Sequence, residues 1–226
     1  KEGEPFSVTA RLAQCPWNDK HDLLQIGLQA EKLDEGTMPK SNLVFLLDVS
    51  GSMEAPDKLD LVKRAFLMMT EYLKSDDTIS IVTYASDDRI VLDGAAGEDR
   101  LSIMTAIENL SAGGSTHGSR GIETAYQLAE KHYIEGGNNR VILATDGDLN
   151  VGITSEGGLT RLIKDQKDRG VFLSVLGFGT GNLKDNKMEA MADNGNGQYS
   201  YVDSIAEARK VLVEEMGGTL FTVAKD

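Results

Sequence analysis

Residues 43–53 read LVFLLDVSGSM. Leu43, Val44, Phe45, Leu46 and Leu47 are continuously apolar, without alternation, as expected of a strand covered on both faces in a parallel α/β sheet. Asp48 then stands at the carboxyl end of that strand, the end at which open α/β sheets bind ligands. Ser50 and Ser52 follow two apart, with Gly51 between them.

Working outward, strands and helices alternate. DKLDLVKRAFLMMTEYLK (57–74) places Leu59, Val62, Ala65, Phe66, Met69 and Leu73 at helical spacing, with charges on the opposite face. TISIVTYAS (78–86) and RIVLDGA (89–95) are β-rich and joined by the turn-forming Asp87 and Asp88. Helical patterns cover 99–110 and 119–134. Val141 to Ala144 form a second continuous apolar strand, ending at Asp146. Helix, strand, helix, strand and helix then follow over 159–170, 171–179, 184–194, 198–203 and 205–217. Strands interleaved with helices imply βαβ units, hence a doubly wound, mainly parallel sheet with flanking helices.

The flanks break this rhythm. Leu24, Ile26, Leu28 and Ala30 alternate with mostly polar neighbours, as in a half-exposed antiparallel strand. The end, TLFTVAKD, is short and β-prone. The expected organisation is an N-terminal flank with a β-strand (1–40), the α/β domain (41–216) and a truncated strand-like C-terminal flank (217–226). The two flanks are expected to pair with each other or to add an edge to the main sheet. Because the chain begins at Lys1 with no apolar signal segment, it is expected to be a piece of a longer protein.

Composition narrows the function. With 36 acidic against 23 basic residues the net charge is -13, which disfavours nucleic acid and anionic membrane surfaces. Cys15 is the sole cysteine, so neither an internal disulfide nor a cysteine-based metal cluster is available. No apolar run approaches the roughly 18 residues of a membrane span.

Two strands thus end in an aspartate followed by small residues, at Asp48-Val-Ser-Gly-Ser52 and at Thr145-Asp146-Gly147-Asp148, and SAGGSTHGSRG (111–121) lies between them. If those strands are neighbours where the strand order reverses, their carboxylates and the loop's hydroxyls converge on one crevice. Oxygen donors without His or Cys suit a hard divalent cation such as Mg²⁺, with Mn²⁺ or Ca²⁺ as alternatives. Neutral hydroxyls leave such an ion under-neutralised and able to take an external acid.

Asp48-x-Ser50-x-Ser52, a distant threonine within GGST and a later TDG resemble the metal-ion-dependent adhesion site of von Willebrand factor A domains, over about residues 41–216. The resemblance implies a Rossmann-like fold and a protein-binding, adhesion-type module that is not an enzyme. It implies a metal set of Asp48, Ser50, Ser52, Thr116 and Asp146. The two serines would bind the cation directly, and the other three directly or through water. A Glu or Asp of an unidentified protein partner would complete the coordination. Ala13-Gln14-Cys15-Pro16-Trp17 and Thr145-Asp146-Gly147-Asp148-Leu149-Asn150-Val151-Gly152 further resemble the bacterial von Willebrand A proteins of the YfbK-like lipoprotein family. That likeness implies a cell-envelope or extracytoplasmic setting.

Each feature also has a plainer explanation. Asp-x-Ser-Gly-Ser alone is more often a turn or a helix cap. Thr116 could cap the helix that follows, or Ser115 could be the ligand; the family pattern favours Thr116. Asp148 could hold a water near the metal or be a solvated loop carboxylate, and His117 could touch a partner or simply be solvated. Met68, Met69, Met188 and Met191 fall on helical faces as core packing, and Cys15 reads as a buried or half-buried anchor. The competing function is a metal-assisted phosphohydrolase with an aspartate nucleophile. Such enzymes need a second carboxylate two positions on, where this chain has Ser50. G-x-S-x-G and phosphate-loop motifs are absent.

Overall fold

The computed structural model describes residues 6–30, 39–114, 120–147, 156–179 and 185–215. The chain divides into two compact units, with the α/β part in Pro39–Gly217.

In the other unit, β1 (Phe6–Gln14) and β2 (Asp22–Ala30) form an antiparallel two-stranded sheet, in register from Phe6 opposite Ala30 to Gln14 opposite Asp22. The connection is closed by the Cys15 N–H donating to the His21 carbonyl (3.0 Å) and the Asn18 N–H donating to the Cys15 carbonyl (3.3 Å). Cys15 is buried there, as its sequence context implied. The alternation at 24–30 does mark a strand, but its described partner is β1, which the sequence analysis did not identify. The expected partner at 217–226 lies outside the described residues. Among the described residues no flank strand joins the main sheet.

The main sheet has six strands in the order β5-β4-β3-β6-β7-β8. They are β3 (Ser41–Asp48), β4 (Thr78–Tyr84), β5 (Asp88–Ala96), β6 (Asn138–Thr145), β7 (Val171–Phe178) and β8 (Tyr199–Val202). All neighbours are parallel except β5, which runs antiparallel to β4 at the edge. Every residue of β3 and of β6 is buried, the outcome expected for continuous apolar runs in a sheet covered on both faces. The chain passes from β3 to β4 on one side and later returns to β6 on the other. The order therefore reverses between β3 and β6, which places the ends of those two strands at the ligand-binding position of an open α/β sheet.

Helices α1 (Leu59–Thr70), α2 (Arg100–Glu108), α3 (Gly121–Lys131), α4 (Glu156–Asp168), α5 (Asp185–Asn194) and α6 (Ile205–Arg209) lie between or after the strands. The residues expected on the apolar face of the first helix, from Leu59 to Leu73, are all buried, although α1 itself ends at Thr70. The last helix also differs from expectation, continuing past Arg209 as a π-helical segment, Lys210–Glu215. Met69, Met188 and Met191 are core residues as expected, and Met68 is half-buried.

On one side of the sheet α3 packs closely because its first residue has no side chain. A Cβ on Gly121 would meet Tyr84 Cβ at 2.8 Å and Leu46 Cδ1 at 3.2 Å. On β3, Phe45 is fully buried and packs against Phe66 of α1, with ring centroids 4.5 Å apart and planes inclined at 54°. Deleting an aromatic ring at such a site removes apolar burial and leaves a cavity. Phe66→Ala is expected to lower unfolding free energy by about 3–5 kcal/mol in urea titrations; a loss below about 1 kcal/mol would show that α1 is not anchored through this ring.

Candidate functional site

Asp48 sits at the last position of β3 and is completely buried. Burying a carboxylate is costly unless donors surround it. Three do. The Ser50 N–H donates to Oδ1 at 2.9 Å, while the Tyr84 hydroxyl (3.3 Å) and the Thr145 hydroxyl (3.2 Å) donate to Oδ2. Tyr84 ends β4 directly opposite Asp48, and Thr145 ends β6 on the other side, so parallel pairing itself brings the donors into place.

Burial is the largest influence on the Asp48 carboxyl and raises it above its ordinary value. The hydrogen bonds from Ser50 and Thr145 pull it down, and the nearby Asp146 carboxylate pushes it up. Tyr84, fully buried and next to Asp48, is driven well above the usual tyrosine range and stays a protonated donor.

After Asp48 the chain turns outward. Gly51–Glu54 forms a 3-10 turn pinned by the fully buried Met53. The Ser50 and Ser52 hydroxyls approach to 3.0 Å. Ser50 is buried and Ser52 exposed, so the donors form a graded path from the core to the surface. The segment before Thr116 is tied to this turn. The Gly113 N–H donates to the Val49 carbonyl (2.8 Å), and the Gly51 N–H donates to the Gly114 carbonyl (3.0 Å). Gly114 has φ +81°, a conformation that glycine adopts without penalty. Thr116, Ser115, His117 and Asp148 lie outside the described residues.

Asp146 follows β6, with its side chain nearly buried and its Oδ2 accepting from Lys58 Nζ at 2.8 Å. Lys58 also donates to the Ser52 carbonyl at 2.9 Å. The structure therefore brings together Asp48, Ser50, Ser52 and Asp146 from the expected set. It adds Tyr84, Thr145 and Lys58, which the sequence analysis did not single out. Thr145 could have been found from the alignment of the two strand ends. Lys58 had no local signal, since it stands in a charged stretch that reads as the start of a helix.

All four placed candidates offer hard oxygen donors. With the backbone and side chain of Ser50, Tyr84 and Thr145 all donating to Asp48, its roughly four acceptor positions are largely taken, so it would act at a cation chiefly through Ser50 or a bound water. The donor set fits Mg²⁺, Mn²⁺ or Ca²⁺ and lacks the sulfur and imidazole that softer metals prefer. Among the described residues there is no cluster of three or more His, Cys, Asp or Glu side chains able to hold a metal, so an ion here would depend on the hydroxyls. His132, one of the two other histidines, instead joins Lys131 and Asp93 in an exposed ion cluster, His132 Nε2 lying 2.7 Å from Asp93 Oδ1.

Comparison with known proteins gives a consistent fold. The family model for the von Willebrand factor type A domain matches residues 42–214. The chain is 45% identical over 222 residues to the YfbK protein of Escherichia coli (strain K12), covering 98% of this chain and 39% of that protein. It is 31% identical over 198 residues to human inter-alpha-trypsin inhibitor heavy chain H3, covering 82% of this chain and 22% of the relative. It thus spans less than half the length of these relatives. Among solved structures, a von Willebrand factor type A protein from Catenulispora acidiphila aligns with a TM-score of 0.69 at 18% identity, covering 97% of this chain and 51% of that one. BatB from Bacteroides thetaiotaomicron aligns with a TM-score of 0.63 at 22% identity, covering 79% and 98%. At such identities the structures establish the fold alone.

The raised Asp48 carboxyl has a definite consequence for stability. The native state holds this proton more tightly than the unfolded chain, so the group contributes stability at low pH and loses it as pH rises through the window above the ordinary carboxylate value. In chelator, the unfolding free energy of the wild type relative to Asp48→Asn is expected to fall as pH rises above the ordinary carboxylate value of about 4. Chemical denaturation across that range checks it, and a relative rise would contradict it.

Proposed function

The chain belongs to the von Willebrand factor type A domain family, and from the oxygen cluster at the ends of β3 and β6 we propose that it is a cation-dependent protein-binding module. The observation that carries this proposal is the 3.0 Å approach of the Ser50 and Ser52 hydroxyls beside two neighbouring carboxylates, Asp48 and Asp146, at the point where strand order reverses. Ser50, Ser52 and Asp146 would hold a divalent cation, Mg²⁺ being the best match, together with Thr116. Asp48 would serve by orienting Ser50 and through a bound water. A cation in such a setting supplies an open coordination position for an anionic oxygen. The partner that fits is a protein presenting a Glu or Asp carboxylate.

This chain's own residues do the positioning. Tyr84 and Thr145 fix Asp48, Asp48 fixes the Ser50 backbone, and the turn held by Met53 presents Ser52 to solvent. The exposed end of the donor path at Ser52 is where a partner's carboxylate could arrive.

Phosphohydrolysis through Asp48 is disfavoured by the same geometry. A nucleophilic carboxylate must reach substrate, yet Asp48 is wholly buried and its oxygens already accept at least three hydrogen bonds. Ser50 also stands where the second carboxylate of such enzymes would be needed.

Binding to the native state alone raises apparent stability, by about 2.7 kcal/mol when the ligand is at one hundred times its dissociation constant. Mg²⁺ or Mn²⁺ is expected to raise the melting temperature of the wild type in thermal scans, and the Asp48→Ala, Ser50→Ala double variant is expected to show no rise. Equal shifts in both proteins, or none in either, would refute the metal site.

A further inference from the structure

We propose that Lys58 is a tethered cation that competes with the divalent ion for Asp146, and so sets the affinity of the site for metal. This rests on the metal-dependent function proposed above and concerns the regulation of that same site.

Lys58 is built into the site and is not a passing surface lysine. Its ammonium makes two short contacts, to Asp146 Oδ2 at 2.8 Å and to the Ser52 carbonyl at 2.9 Å. Both acceptors belong to segments proposed to hold the cation. The partner carboxylate is nearly buried, with side-chain exposure of 5% against 22% for Lys58, so the ion pair is only partly screened by solvent. The lysine stem also has a shaped place. It runs over Gly179 at the end of β7, where a Cβ would stand 2.9 Å from both Lys58 Cγ and Cε. The Gly179 carbonyl is in turn held by the Tyr201 hydroxyl at 2.8 Å. A residue with any side chain at position 179 would displace the stem that delivers the ammonium.

Charge counting gives the consequence. Asp48 and Asp146 supply two formal negative charges and Lys58 one positive. Without a divalent ion the ammonium neutralises Asp146 and relieves the repulsion that Asp48 feels from it. A divalent ion must take Asp146 from that ammonium, which weakens metal binding. Once the ion is held, the lysine leaves the centre with a net positive charge, whereas the two carboxylates alone would only neutralise it. Lys58 thereby trades metal affinity for attraction of an acidic ligand, a useful exchange in a chain whose overall charge is -13.

The test is calorimetric titration of Mg²⁺ into the 226-residue chain and its Lys58→Met and Lys58→Arg variants, with folding checked by circular dichroism in chelator. Lys58→Met is expected to bind Mg²⁺ at least ten-fold more tightly than the wild type, and Lys58→Arg within about three-fold of it, since arginine keeps the charge. Equal or weaker binding by Lys58→Met, with a wild type that does bind, would overturn the competition while leaving the metal site standing. No binding of Mg²⁺, Mn²⁺ or Ca²⁺ by either protein would remove the metal site and this inference with it. A second readout uses the wild type alone: acetylation of Lys58, followed by mass spectrometry, should speed up several-fold when Mg²⁺ replaces chelator. An unchanged or slower rate would contradict release of the ammonium.

Discussion

A fully buried carboxylate at the end of the central strand is the constraint on which the rest of the site depends. Isolated, an ionised Asp48 would cost several kcal/mol in the protein interior. Its hydrogen bonds come from three separate places: Ser50, Tyr84 on β4 and Thr145 on β6. Hydrogen bonds to charged groups contribute roughly 1.5–3 kcal/mol each, which offsets part of that cost and leaves the carboxyl raised by burial. The carboxylate can therefore stay inside only while β4, β3 and β6 are paired in their observed register. Fold and site are coupled through this one group.

From that anchor the site is graded toward solvent. Asp48 is inaccessible, Ser50 is buried, Asp146 is nearly so, and Ser52 is exposed. In the proposed function the order would matter because the deep groups fix geometry while the exposed one would border the approach of a partner. A strongly acidic chain repels acidic ligands at long range. The proposed recruitment of one would demand local positive charge, and the neighbourhood of Asp146 and Ser52 is where Lys58 provides some.

Much of this was legible in residues 43–53 and 138–148. Continuous apolar strands ending in aspartate reported both the buried sheet and the strand ends that carry the candidate site, because a strand covered on two faces has no polar period to hide its boundary. The helical face from Leu59 to Leu73 was equally plain. Other parts were not. β1 was missed although Phe6, Val8, Ala10 and Leu12 alternate with polar residues, since a lone hairpin strand leaves no signal about which segment it pairs with. Tyr84, Thr145 and Lys58 were invisible as site residues for a different reason. Their roles arise from register across β4, β3 and β6 and from a lysine stem crossing Gly179, contacts between positions as far apart as Asp48 and Thr145 that no local pattern encodes.

The central claim, that a divalent cation sits among these oxygens, is tested most directly by anomalous diffraction from crystals grown with Mn²⁺. The account predicts one strong peak within roughly 2–2.5 Å of both the Ser50 and Ser52 hydroxyl oxygens, beside Asp146. A peak elsewhere with none between β3 and β6, in well-ordered crystals at saturating Mn²⁺, would contradict it.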